Sequence, residues 1–132
     1  MEGSMLYDPA RAARVCYAAI RQLREEQGFD KGPVWRLLVV AEQDWLCEAC
    51  NLAANGWMSY EIFAEWRRVR ELDGWRLGQE IDHAKKTHPE LVDWKTLPED
   101  VQQRYFLLQM MTSALHLVVP PALTGSSPVA AV

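Results

Sequence analysis

No apolar run in this chain reaches the roughly 18 residues that a membrane-spanning helix needs, which argues against an integral membrane protein. Positive charge is also in short supply. Fourteen Lys and Arg against 18 Asp and Glu leave a net charge of -4 at pH 7. Such a chain has no broad cationic face with which to grip duplex nucleic acid. Cysteine is scarce and odd in number, three in all. An odd count argues against a pure disulfide framework, and a reducing, cytoplasmic setting is expected. The N-terminus shows no charged start followed by an apolar stretch, so no secretory leader is expected. Long polar, low-complexity stretches are missing too. With 49% apolar and 24% charged residues over 132 positions, the composition is that of one globular domain. What the chain does have is tryptophan: six, a high count for this length.

The two ends read as appendages. Met1-Glu2-Gly3-Ser4 looks like a cloning remnant ahead of a second start at Met5, and residues 120–132, rich in Pro, Gly and Ser, read as a flexible tail. Between them, residues 5–119 are expected to form a single, mainly α domain of about four helices. Asp8-Pro9 opens the first helix, with Ala12, Val15, Cys16, Ala19, Ile20 and Leu23 as its apolar stripe and Gly28 as its stop. A second runs from beyond Gly32-Pro33 to Ala54, with a short turn ahead of its main body near Val39-Val40. Ser59 caps a third, which carries Ile62, Phe63, Trp66 and Val69 and ends at Asp73-Gly74. Thr96 and Glu99 suggest a capping box for a fourth, which runs towards Pro120. There Phe106, Leu107 and Met110 widen the apolar surface and imply deep burial, while Thr112 and Ser113 interrupt it. Residues 75–95 lack a sustained period and are expected to be a long ordered loop with short extended pieces between the third and fourth helices. Trp35, Leu38 and Gln43 echo Trp94, Leu97 and Gln102 at the same spacing, which suggests that both segments brace a helix entrance.

The chemistry-bearing residues give few alternatives. Cys47-Glu48-Ala49-Cys50 has a C-x-x-C spacing, but no second pair completes a zinc site and the pair lies inside a helix. Structural cysteines are the simpler reading. His116 sits at the edge of an apolar helical face. His83 and His88 share the long loop with Asp82 and Lys86, without a neighbouring nucleophile. No catalytic residues, metal site or cofactor are expected. Charge is uneven: residues 37–66 carry five acids and no Lys or Arg, then Arg67, Arg68, Arg70, Arg76, Lys85 and Lys86 follow. They read either as a solvated face or, interleaved with Trp66, Trp75 and Trp94, as the grip for an anionic aromatic ligand.

The run Trp66, seven residues, Gly74-Trp75-Arg76-Leu77-Gly78, Asp82, Lys86-Thr87-His88-Pro89, Leu91, Trp94, Leu97-Pro98-Glu99 resembles the ryanodine-receptor repeat (RyR) domain, in particular the small stand-alone bacteriophage type. The likeness covers residues 59–117 without a gap. Leu77 and Trp94 stand where the family pattern has tyrosine, Phe63-Ala64 where it often has His-Glu, and Gln102 and Tyr105 where it often has Lys and Asp. The resemblance implies a non-catalytic module that binds a nucleotide, cyclic or ADP-ribose-derived. It implies sequestration of such an immune messenger in the host cytoplasm, as an anti-defence sponge. The ligand-binding residues it suggests are Trp66, Trp75, Arg76, Asp82, Lys86, His88 and Trp94, with Lys86 on a phosphate and His88 shaping the His-Pro turn. A paired site would require a homo-oligomer, most simply a symmetric dimer. The alternative is a protein-interaction or structural module with the tryptophans as core. A nucleotide-degrading enzyme is a third class, which product formation would distinguish.

Overall fold

The computed structural model describes residues 8–118, with side chains described as far as Leu115. The opening remnant, the Met5 start, the His116 side chain and the proposed tail lie outside the described residues. Asp8 caps helix α1 (Pro9–Glu26): its carboxylate accepts from the Ala10 N–H at 3.0 Å, and Pro9 at the first position has no N–H to lose. A one-turn 3₁₀ segment (Trp35–Leu37) precedes α2 (Val40–Ala54). Next come α3 (Ser59–Leu72), the two-residue strands β1 (Arg76–Leu77) and β2 (Thr87–His88), a second 3₁₀ turn (Trp94–Thr96), and α4 (Glu99–Val118). The chain is mainly helical, as its periodicity predicts, and no described helix is long and apolar enough to cross a membrane.

Helices α1, α2 and α4 pack together, and α3 lies against α4. The α1–α2 contact is made of small side chains. Ala12, Ala13 and Cys16 meet Ala49, Cys50 and Ala53, all buried. Such residues let two backbones approach closely, and this decides which of the apolar positions go inside. Val15, expected on the α1 stripe, is 38% exposed, while Ala13 takes its place. Thr112, expected to interrupt the α4 surface, is fully buried, and its hydroxyl meets the Cys16 sulfur at 3.6 Å. A second buried group, Phe63, Trp66, Leu91, Leu97 and Val101, lies under the loop, and Trp45 and Tyr105 pack against both groups. The cysteines thus fill the helix junction. Cys50 is buried there, its thiol pushed up by the hydrogen bond to Cys16 and by burial.

The two Trp-Leu-Gln segments are the same device used twice. Gln43 Nε2 donates to the Trp35 carbonyl at 2.8 Å, and Gln102 Nε2 to the Trp94 carbonyl at 2.7 Å. Each glutamine, inside the first turn of its helix, holds the 3₁₀ turn that feeds it. This corrects two expectations about caps. Thr96 belongs to the 3₁₀ turn and is exposed, and no bond joins it to Glu99, so the capping box does not form. The carbonyl of Pro98 accepts the first helical N–H groups instead. Ser59 is not a cap either. It is the first residue of α3, buried, and its hydroxyl and N–H both donate to Gln109 Oε1 of α4. The cap position is Met58, whose N–H is satisfied by the Glu61 carboxylate at 2.8 Å. A third correction concerns α4: Phe106 is 45% and Met110 69% exposed, because α3 covers only part of that wide apolar surface.

The long loop is ordered by its own polar groups. Gly74, at φ 91°, turns the chain out of α3, and β1 then pairs in parallel with β2, Arg76 opposite Thr87 and Leu77 opposite His88. Gly78 is where the strands' connection comes closest: a Cβ there would lie 2.5 Å from the Cβ of Thr87. Only glycine permits that approach.

Candidate functional site

The seven expected ligand residues fall into three places. Trp66, Trp75 and His88 come together under the loop. The His88 ring lies 5.0 Å from Trp66 and 6.4 Å from Trp75, and Trp75 also meets His83 at 5.4 Å. Trp66 is buried and stacks on Phe63. On its far side the Arg70 guanidinium lies 5.7 Å from a Trp66 ring while pairing with Glu42 of α2. His88 Nδ1 accepts the Glu90 N–H at 3.1 Å, so this nitrogen carries no proton. Burial, with the Arg70 and His83 charges, lowers the His88 pKa to about 4. This cluster holds the loop on α3, and its tryptophan faces are largely covered by protein.

Asp82, Lys86 and Arg76 do not join it. The Asp82 carboxylate accepts from the Ala84 and Lys85 N–H groups and closes the loop's own turn. Lys86 adopts φ 56°, and its ammonium bonds the Asp73 carbonyl at 2.8 Å and pairs with the Asp73 carboxylate at 3.4 Å. The cation expected to meet a phosphate is thus occupied in tying the loop to the end of α3. Arg76 is exposed on β1 and has no ion pair among the described residues.

Trp94 lies elsewhere, across Phe63 from Trp66. It lines an open groove of about 390 Å³ with Tyr60, Phe63, Ala64, Arg67, Arg68, Glu71 and Asp93. Trp94 is held by edge contacts to Tyr105 and Phe106 and leans on Phe63 at 5.8 Å. The other wall is one face of α3. Positions 60, 64, 67, 68 and 71 recur at three- and four-residue steps, so they line up along the helix. Ala64 is the small residue in that row, which leaves depth between Tyr60 and Arg68. Arg67 bridges two carboxylates, Glu71 at 3.0 Å and Asp93 at 2.9 Å, and so ties α3 to the turn that presents Trp94. Arg68 forms a two-pronged pair with Glu65, which holds that carboxyl below its usual range. Aromatic faces beside two guanidinium forks can stack a planar ring and hold a phosphate.

Tyr60, Glu71 and Asp93 are the groove residues that sequence reasoning passes over. The signal was available for the helical ones: Tyr60, Ala64, Arg67, Arg68 and Glu71 form a periodic polar-aromatic row on the face away from Ile62 and Trp66. Among the described residues no group of three or more His, Cys, Asp and Glu side chains is placed to hold a metal ion. Comparison with family models, with curated proteins and with solved structures finds no match.

Proposed function

We propose that the chain is a non-catalytic binding module whose groove between α3 and Trp94 takes a nucleotide-type ligand. The observation that carries this reading is the pairing of aromatic walls, Tyr60, Phe63 and Trp94, with the guanidinium groups of Arg67 and Arg68 in one open groove. A base or nicotinamide-like ring would stack against Trp94 and Tyr60. A phosphate would take the exposed Arg68 from its Glu65 pair, an exchange that water screening of a surface ion pair makes easy. The resemblance to stand-alone RyR domains bears on the ligand class, though of the residues it suggests only Trp94 lines this groove; the biological sense would be stoichiometric capture of a nucleotide-derived messenger in a host cell's cytoplasm. Relative to the reading from sequence, the site moves from Lys86 and Arg76 to Arg67 and Arg68.

A second reading, a protein-docking surface, draws on the exposed Tyr60 in the groove and Phe106 beside Trp94. Calorimetric titration of ADP-ribose and of a cyclic dinucleotide into the protein and into Arg68→Ala separates the two. Nucleotide capture predicts saturable binding that weakens roughly 10- to 100-fold in the variant, the loss of one charge-assisted hydrogen bond. Absence of heat with every nucleotide, together with an unaltered variant, removes this reading in favour of docking.

A further inference from the structure

Among the described residues five cations have found a carboxylate within 4.0 Å: Lys31, Arg67, Arg68, Arg70 and Lys86. Two arginines that share one partner ring have not. Arg24, in the last turn of α1, and Arg104, on α4, both lean on Phe29, their guanidinium carbons 6.0 and 5.1 Å from its centroid. Each spends only its Nε on the protein. Arg24 donates to the Asp30 carbonyl at 2.8 Å and Arg104 to Gln27 Oε1 at 3.2 Å. Among the described residues, the terminal nitrogens of both forks have no acceptor. Bracing of the loop after α1 does not account for this, since Arg21 does the same work on Gly32 with two of its nitrogens.

Arg104 is half-buried, and its pKa is lowered by burial and then by Arg24, against the opposing pull of the Glu90 and Asp100 carboxylates. Glu90 feels both guanidiniums yet lies within 4.0 Å of neither, and burial raises its carboxyl. Two planar forks set around a 46%-exposed aromatic ring, with their outer N–H groups unspent, match the oxygens of a compact polyanion. We propose that Arg24, Phe29 and Arg104 form a second ligand site at the α1–α4 junction, separate from the Trp94 groove, that binds a phosphate-type polyanion such as a diphosphate group. Each fork takes one phosphate, Phe29 lies between them, and the nearby Glu90 and Asp100 carboxylates oppose the negative ligand.

Inorganic pyrophosphate is the probe. Titration into the full chain, followed through the arginine Nε resonances, is expected to be saturable and to shift Arg24 and Arg104 but not Arg11, at the other end of α1. Arg104→Ala is expected to weaken binding on the order of 10-fold or more, whereas Arg11→Ala, exposed at the other end of α1, leaves it unchanged. Glu90→Gln, which removes the opposing charge but keeps the side chain's shape, is expected to tighten binding severalfold. It serves as the decisive variant should Arg104→Ala fail to fold. Non-saturable shifts, equal affinity in Arg104→Ala, or no gain in Glu90→Gln would overturn the proposal.

Discussion

Lowering the pH from 7 to 4 should destabilise this protein through one side chain, His88. In the folded chain its pKa is about 4, against an ordinary value of 6.5. Between these two values the unfolded chain binds a proton that the folded chain refuses. The unfolded state then holds more protons, so stability rises with pH across this window and is lost as pH falls from 6.5 towards 4. The full displacement corresponds to roughly 3 kcal/mol. His88 is only half-buried, and solvent screening reduces this to about 1–2 kcal/mol. Urea denaturation followed by tryptophan fluorescence at pH 7, 6, 5 and 4 measures the loss. His88→Asn is the comparison, because its side-chain oxygen can accept the Glu90 N–H as Nδ1 does but cannot titrate. Carboxylates contribute to both proteins and cancel in the difference. The stability of the wild type should fall towards that of the variant, or below it, as pH drops to 4. Parallel curves for the two proteins would refute the half-buried, neutral His88.

Other substitutions probe the frame around the sites. Gly78→Ala should cost about 1–3 kcal/mol in denaturant titrations, since its Cβ would collide with Thr87. Gly56→Ala, with open space around it and φ of 94°, should cost only the left-handed penalty of about 1–2 kcal/mol. Gln43→Ala and Gln102→Ala should each lose about 0.5–1.5 kcal/mol, the value of the hydrogen bond to Trp35 or Trp94. Lys86→Ala should lower stability by up to about 1 kcal/mol through its exposed tie to Asp73 and leave nucleotide affinity unchanged. A loss of affinity in that variant would return Lys86 to the ligand.

The helices were legible because their stripes and stops are local: Asp8-Pro9, Asn55-Gly56 and Asp73-Gly74 punctuate them where the backbone turns. The caps at Ser59 and Thr96 were misread because a hydroxyl at a helix start has two uses. The partner for Ser59, Gln109, lies on a helix half a chain away, and Thr96 belongs to a turn that only the Trp35 copy explains. Burial on α4 failed for a different reason. A helix apolar all round says nothing about which sides have neighbours, so Phe106 and Met110 stay outside while Thr112 goes inside. Of the expected ligand residues, Trp66, Trp75 and His88 do cluster, as aromatic groups close in sequence around one loop are free to do. Asp82 is occupied by the N–H groups two and three residues on, a local turn that its sequence position allowed, whereas Lys86 is occupied by Asp73, thirteen residues back, which no spacing rule anticipates. The groove itself depends on Asp93 reaching Arg67 across the loop, a tertiary contact with no local signature.

The claim that the α3–Trp94 groove receives a nucleotide is tested most directly by amide chemical-shift mapping during titration with ADP-ribose and, separately, with a cyclic dinucleotide. The account predicts saturable shifts confined to residues 60–71 and 93–94, while the β1–β2 loop around Lys86 stays still. Saturable shifts centred on residues 76–88, or none at all with either compound, would contradict it.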